Sequence, residues 1–438
     1  MSLHKALAFL GITLPALAQF SGPAILSRGE APAAMATPQI DFRPYLTITG
    51  TYDTGLAGIA VNSSGQLINS NSFGTMFTAG VSGIHSWKHT KIGLNYSGSY
   101  SHYYQQSFFD NTAQTLSLGL QHQFARHLAL NLRESGGIFS QNFLTLGLPQ
   151  TVPFDPSQSN IPVSDFFNNR TYYFTSQADL IYQRSTRLSF DIGGDAFLSR
   201  FRSIELFGDN GYAARADVQY RYSRRTTVGA EYSFTHFAYT RVNSSTDLNA
   251  AYFTFATRLT QWWELTAFAG AIRTETYIVQ SVPLDPKVAA LLGVSFAPQL
   301  SYSLQYVPAF TGRLSRTFHH GVAFLTGART VMPGNGLFLT TKMTNGNIGY
   351  TYTGLRRWSF TLQAFYERGD SLGNIVGTYG DISGGLSMSR LLTGSLHLVA
   401  GAEARRYQSH SFAGYNRNVY DAHIGLGFTP GSVPLRLW

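Results

Sequence analysis

Apolar and polar side chains alternate with a period of two along most of this chain. The clearest case is residues 211–240, where one parity is aromatic or aliphatic and the other carries charged, amide and hydroxyl groups. Successive side chains of a strand point to opposite faces, so the pattern predicts two strands that each have one apolar and one polar face. Residues 223–226 interrupt the alternation as a tight turn. The segment is therefore predicted to be a hairpin whose arms exceed the 5–6 residues of an ordinary strand.

The same unit recurs from Asp41 to Phe428, with short turns and longer connections alternating strictly. Counting the units predicts about 18 strands, and the weak pattern at 290–345 leaves 16 open. Each strand with its connection has roughly 22 residues, enough for a membrane-crossing strand of about 9–11 residues. A polar stretch up to about Asn71 is predicted to be a loop. Two longer loops are predicted at 140–169, which contains four prolines, and at 279–304.

This repetition favours one closed sheet over several soluble domains. Only 13% of residues are charged, about half the share of a typical soluble protein, while the hydrophobic share of 44% is ordinary. Only closure satisfies every backbone group of a sheet in lipid, and it also removes the sheet edges. Aromatic residues near strand ends fit interfacial girdles; they include Tyr182, Tyr222, Trp263, Tyr352 and Trp358. The predicted fold class is all-β: a single transmembrane antiparallel up-and-down β-barrel.

The segments outside the barrel have their own composition. Residues 1–18 resemble a signal peptide, with a short basic start, an apolar run and a small-x-small site at Ala16-Leu17-Ala18. Residues 19–40 are rich in Ala and Pro and are predicted to be a linker. Residues 429–438 are predicted to be a C-terminal tail. No run of about 18 apolar residues follows the leader, so helical membrane spans are not expected.

The leader, alternating strands, short turns, long loops and aromatic final strand resemble bacterial outer-membrane β-barrel proteins of the porin type, over residues 41–428. The resemblance implies a Gram-negative outer membrane, contact with its lipid, recognition by the barrel-assembly machinery and compatibility with a homo-oligomer. Such proteins end in an aromatic signal for assembly. Here the chain ends at Trp438, yet Phe428 better completes the alternation, and two prolines lie between them. The candidate signal comprises Tyr420, Ile424, Leu426, Phe428 and Trp438.

Charged residues of the polar parity are the candidate pore lining. Rings of charge across a wet pore create a transverse field that sorts solutes by charge. The alternative is that these residues only form cross-strand ion pairs. The net charge of +9 also raises the idea of a lumen that favours anions, although net charge does not locate charge. The predicted selectivity residues are Arg133, Asp179, Asp191, Asp195, Arg215, Asp217, Arg221, Glu231 and Arg258.

No catalytic constellation stands out, so an enzyme is not expected. The chain has no Cys, no H-E-x-x-H and no phosphate-binding Gly-Lys, so no metal, cofactor or nucleic-acid partner is expected either. The favoured function is passive diffusion of small hydrophilic solutes, which the basic balance suggests are anionic. The alternatives are polysaccharide export, or a plugged structural or adhesin barrel. A further hypothesis is that the 140–169 loop folds inward and narrows the lumen.

Overall fold

The computed structural model describes most of the predicted barrel region. The described residues are 41–61, 63, 67–105, 107–139, 170–204, 206–283, 295–334, 336, 339–372, 377–409 and 416–429. The predicted signal peptide and linker, the loop at 140–169 and residues 430–438 lie outside this set. Among the described residues, no helix is long and apolar enough to cross a membrane.

The chain forms one closed antiparallel sheet of 18 strands, in which each strand pairs with its sequence neighbours and β1 pairs with β18. This confirms the predicted fold class and the higher of the two strand counts. The strands are β1 Asp41–Val61, β2 Leu67–Ser86, β3 Thr90–Tyr103, β4 Asn111–Ala125, β5 Leu128–Phe139, β6 Thr171–Gln183, β7 Leu188–Phe201, β8 Asp209–Arg221, β9 Thr226–Tyr239, β10 Ser244–Arg258, β11 Trp263–Pro283, β12 Phe296–Phe318, β13 Gly321–Pro333, β14 Thr340–Tyr352, β15 Trp358–Ser371, β16 Thr378–Leu391, β17 Leu396–Ser409 and β18 Arg417–Phe428.

The period of two sorts side chains between the two faces of the closed sheet. In β1, Leu46 and Ile48 are exposed on the outside, whereas Thr47, Thr49 and Thr51 are buried inside. In β16, Ile382 and Leu386 are exposed outside, and Ser383 and Ser389 are buried inside. An apolar outer surface around a whole barrel is stable only against lipid, because water would have to hydrate it.

The two ends of the barrel differ in the length of their connections. At one end, here called the turn end, eight connections of two to five residues join β2–β3, β4–β5, β6–β7, β8–β9, β10–β11, β12–β13, β14–β15 and β16–β17. At the loop end the connections are longer, except for the five residues 62–66 between β1 and β2 and the four residues 240–243 between β9 and β10. The alternation of short and long connections is therefore not strict at these two hairpins.

Aromatic and basic side chains meet at the turn end. The Arg390 guanidinium lies 5.0 Å from the ring centroid of Trp358, and Arg316 lies 5.0 Å from that of Trp263. Tyr182 and Tyr222 are exposed at the same end. Amphipathic rings with cations beside them suit the boundary between hydrocarbon and headgroups.

Several strands are longer than the sequence pattern predicts. The loop expected at 279–304 is wrong at both of its ends, because β11 continues to Pro283 and β12 begins at Phe296. The loop expected before Asn71 is likewise shortened, because β1 runs to Val61 and β2 starts at Leu67. At the loop ends of β1 and β2 the ladder continues through residues that show weak alternation, so pairing with the partner strand holds this extension. In β12, by contrast, Leu300, Tyr302 and Leu304 are exposed and alternate with polar residues, so the pattern of this extension is that of the other strands.

Candidate pore

Serine and threonine line much of the inner face. Buried inward hydroxyl residues include Thr227 on β9, Thr254 on β10, Thr274 on β11 and Thr311 on β12. Some of them bond to one another or to neighbouring polar groups, as Thr254 does to Gln219 Oε1 at 3.1 Å. Such a surface suits a hydrated lumen, since its groups can exchange hydrogen bonds with water and with polar solutes.

An ion pair spans three strands of the β6–β9 wall. Arg215 Nη2 on β8 donates to Asp179 Oδ1 on β6, and both side chains are largely buried. The strand between them contributes Gly193, which is directly opposite each residue in the ladder. Gln177 Nε2 also donates a hydrogen bond of 3.1 Å to Asp179 Oδ2, which stabilises the carboxylate. Glycine at 193 is what lets the long arginine side chain cross β7.

We expect Gly193→Ala to break this ion pair. The added Cβ would overlap Asp179 Oδ1 and lie 2.9 Å from Arg215 Nε, so one partner must leave. Leaving a buried partner unpaired should lower the free energy of unfolding by about 1–3 kcal/mol. Equilibrium urea unfolding in phospholipid vesicles measures this change. The matched control is Gly194→Ala, whose Cβ would meet only Ala213 O at 3.5 Å. Equal unfolding free energies for the two variants would contradict the role given to Gly193.

The other predicted acids of this wall form a row. Asp217 on β8 lies directly opposite Asp191 on β7 and Glu231 on β9. Asp195 lies four residues beyond Asp191 on β7, towards the loop end, opposite Gln177 and Ala213. These positions share the inward parity of the buried Gln219 and Asp179. The structure thus brings together the acidic members of the predicted set.

The predicted arginines are more dispersed. Arg133 on β5 stands opposite Gln177 and Gly119. Arg258 pairs with Glu264, 2.9 Å from Nε to Oε1, at the turn end between β10 and β11. Arg221 also sits at the turn end, where its guanidinium donates to the carbonyls of Ser223 and Arg224 at 3.3 and 3.2 Å. Arg221 and Arg258 therefore lie at the rim, away from the ion pair of Arg215.

A second acidic wall, absent from the predicted set, lies on strands β15–β18 and β1. Asp421 on β18 stands directly opposite Glu403 on β17 and Asp53 on β1, and Glu367 stands opposite Asp381. Five strands separate this wall from β7–β9 on either side, β10–β14 on one and β2–β6 on the other. The two walls therefore face each other across the lumen. Parity could mark these residues as inward, but only the closure of β1 onto β18 brings Asp53 and Asp421 together.

One arginine neutralises part of the second wall. Arg405 Nη2 lies 3.0 Å from Glu403 Oε1, and Arg405 Nε lies 3.9 Å from Asp381 Oδ2. Arg417 lies 4.8 Å from the ring centroid of Tyr407. His423 Nδ1 is 3.6 Å from Asp421 Oδ1, which is too long for a hydrogen bond. Carboxylates still outnumber the cations in this wall.

An apolar cluster fills part of the interior near the loop end. Its buried members come from β7, β9–β13 and the β13–β14 connection: Phe197, Phe237, Tyr239, Leu248, Ala250, Ile272, Val307, Ala309, Val331 and Leu339. Phe237 has no exposed surface and meets Tyr239 edge to face at 5.7 Å. The lumen is therefore not polar all round, and side chains occupy part of its cross-section.

Contacts across the mouth hold the strands that carry the cluster together. Phe207 N, between β7 and β8, donates to Gly336 O, between β13 and β14, at 2.8 Å. Gly336 has a φ of 86°, and a Cβ there would meet the ring of Phe201 at 2.7 Å. Thr340 Oγ1 on β14 lies 2.6 Å from Thr246 Oγ1 on β10, four strands away. These connections bend over the opening instead of extending away from it.

One serine of the chain lies in a short motif shared with some hydrolases. Residues 369–373 read G-D-S-L-G, which matches the G-x-S-x-G pattern of a nucleophile elbow. That elbow places its serine between a strand and a helix. Here Ser371 ends β15, its backbone N donates to Gly377 O at 3.0 Å, and the chain re-enters the sheet at Thr378. The described residues thus lack the strand–turn–helix context. They also contain no group of three His, Cys, Asp or Glu side chains that could hold a metal ion.

The predicted assembly signal lies mostly on the last strand. Tyr420, Ile424, Leu426 and Phe428 are exposed on the outer face of β18, the strand that closes the barrel against β1. Trp438 lies outside the described residues. The recognition of these residues by assembly machinery stays a prediction.

The closed 18-stranded sheet, its apolar outer surface and its polar, charged interior define a transmembrane β-barrel. No protein-family model and no curated protein matches the chain. Solved structures with a similar fold include a BenF-like porin from Pseudomonas fluorescens Pf-5, at 9% identity and a TM-score of 0.42, over 89% of this chain and 99% of that one. OpdO from Pseudomonas aeruginosa has 12% identity and a TM-score of 0.40, over 90% and 98%. OccK2 (OpdF) from Pseudomonas aeruginosa, solved in complex with glucuronate, has 10% identity and a TM-score of 0.40, over 90% and 99%.

Proposed function

We propose that the barrel is a porin-like channel for passive diffusion of small hydrophilic solutes. The observation that carries this proposal is the closed ring of 18 strands around an interior of hydroxyl and charged side chains. Barrels of 16–18 strands are wide enough for an aqueous channel. By the usual asymmetry of such barrels, the turn end faces the periplasm and the loop end faces the exterior.

The apolar cluster sets the size class of the solute. Phe237, Ile272 and Leu248 occupy lumen volume on one side near the loop end. The free cross-section is therefore smaller than strand number alone would give, and the charged walls β6–β9 and β15–β1 border what remains. Small solutes fit this geometry better than a polymer.

The charged residues of both walls, on β6–β9 and on β15–β18 with β1, are proposed to line the pore. The sequence set contributes Asp179, Asp191, Asp195, Arg215, Asp217 and Glu231 on β6–β9. Arg133, Arg221 and Arg258 would act at the margins of that wall and at the turn-end rim. Preference for one sign of solute charge is a question separate from permeation, because overall net charge does not locate charge.

The test is single-channel conductance of the refolded barrel in a planar bilayer. We expect steady, open conductance steps in KCl without any added partner. The alternative of a plugged structural barrel is favoured by one observation, the contacts across the mouth between Phe207 and Gly336. Absence of conductance from a barrel that shows folded mobility on a gel would overturn the channel proposal and support the plugged barrel.

A further inference from the structure

The net charge of the protein resides on the turns, not in the lumen. The total of +9 is 32 Lys and Arg minus 23 Asp and Glu. Lys5 lies in the leader, and the eight turns carry eight cations and no acid: Lys88, Arg126, Arg184, Arg187, Arg224, Arg225, Arg356 and Arg357. All eight are exposed. Removing these nine leaves 23 cations and 23 acids, so the rest of the chain has no excess of positive charge.

Along the two charged walls the balance is acidic. On β6–β9, the five inward carboxylates of Asp179, Asp191, Asp195, Asp217 and Glu231 accompany one inward arginine in mid-wall, Arg215. On β15–β18 and β1, five more carboxylates accompany two arginines, Arg405 and Arg417. Arg133 and Arg221 border the first wall. Even with both of these counted, ten carboxylates accompany five arginines among the described side chains of the two walls.

The register of the sheet opposes like charges directly. The rows Asp191–Asp217–Glu231 and Glu403–Asp421–Asp53 each place three carboxylates on neighbouring strands. Like charges directly opposite each other in a sheet are destabilising. Two such rows on opposite walls are costly unless cations in the lumen compensate for them. The first row lies near the turn end and the second nearer the loop end, so a passing solute meets them in succession.

Asp421 is an independent indication that these carboxylates face a cation. Its side chain is only 10% exposed, yet neither carboxylate oxygen has a hydrogen-bond partner among the described residues. His423 Nδ1 is 3.6 Å from Asp421 Oδ1, too far for a hydrogen bond. Arg405, two residues along the neighbouring strand from Glu403, is directed to Glu403 and Asp381 instead. A buried carboxylate without donors is strongly disfavoured unless a cation reaches it.

We propose that the lumen selects small cationic solutes, those carrying an ammonium or guanidinium group, through the two opposed carboxylate rows. This inference rests on the proposed channel function. Inorganic monovalent cations should follow the same preference, because both rows act through their negative potential. The basic turns lie at the rim and do not determine the sign of selection in the interior.

The first readout is the reversal potential of the wild-type barrel in a KCl gradient, together with the swelling rates of proteoliposomes in lysine and in glutamate. We expect a several-fold preference for K⁺ over Cl⁻ and faster swelling in lysine. The triple variant Asp191→Asn, Asp217→Asn, Glu231→Gln should lose most of this preference, and Asp421→Asn should lose part of it. Both conserve shape, and gel mobility of the folded barrel confirms that each has assembled.

The matched control neutralises three carboxylates on the outer face. Asp247→Asn, Glu275→Gln and Asp370→Asn change the charge by the same amount, at positions of outward parity near the loop end. Their selectivity should equal that of the wild type. Steady conductance with anion preference, or equal loss of selectivity in the control, would overturn the cation proposal and leave the channel standing. A folded barrel without conductance would instead overturn the channel proposal itself.

Discussion

Leu386→Arg is expected to lower the free energy of unfolding of the barrel by about 2–4 kcal/mol, the cost of a cation on the lipid face near the bilayer midplane. Leu386 lies near the middle of β16 and is 49% exposed on the outer surface. Its ladder partners Leu362 and Ala402 are apolar, so nothing beside it can pair with a guanidinium. Equilibrium unfolding in phospholipid vesicles measures the difference.

The matched control is the next residue. Ser387→Arg places the same side chain on the inner face, between Thr361 and Gly401, where water and the carboxylate walls can solvate it. We expect a much smaller loss of stability there. Equal losses at both positions would contradict the assignment of the apolar face to lipid, because the two residues are adjacent in β16 and face opposite sides of the sheet.

The fold could be predicted because one physical rule repeats along the chain. Strand β8 shows the rule clearly: Tyr212, Ala214 and Ala216 alternate with Arg215 and Asp217. This alternation predicts that the segment is a strand, and also that one face meets lipid and the other meets the lumen. That rule fails where both parities are small and polar, as at the loop ends of β1 and β2. There the ladder with the partner strand supplies the stability, and a sequence pattern read one strand at a time cannot show it.

The pore lining was only partly predictable. The parity of a residue in its strand predicts which face of the sheet its side chain points to, but not which residues of other strands it contacts. It identified Asp179 and Arg215 as inward, yet their ion pair depends on a third strand that contributes Gly193. Asp53 and Asp421 are 368 positions apart in the sequence (421 − 53) and become opposite partners only when the barrel closes. The expected link between basic composition and a basic lumen has no support in these positions, because the turns carry the excess charge.

Phe237 illustrates the limit of reading aromatic residues as lipid contacts. By parity it belongs with the inward Glu231, Ser233 and Thr235, and the structure buries it fully in the apolar cluster of the lumen. A barrel interior is commonly polar, so an inward phenylalanine contradicts the simple pattern. Its presence is explained by partners on β7 and β10–β12 that no local pattern relates to it.

Phe237→Ala is accordingly expected to have two effects. Removing a fully buried ring should lower the free energy of unfolding by about 3–5 kcal/mol, through lost burial and the cavity that remains. Because the cluster occupies part of the lumen, single-channel conductance should also rise. Urea unfolding in vesicles and planar-bilayer recordings measure the two effects on the same preparation.

The control is Phe253→Ala on β10, a phenylalanine that is 56% exposed on the outer surface. It removes the same ring from the lipid face, so conductance should stay at the wild-type level. If Phe237→Ala is destabilised but conducts as the wild type does, the cluster packs the wall without narrowing the path. If both variants are closed while folded, the contacts between Phe207 and Gly336 seal the mouth independently of the cluster. A rise confined to Phe237→Ala would place the limiting cross-section of the channel at the loop end, where the apolar cluster lies.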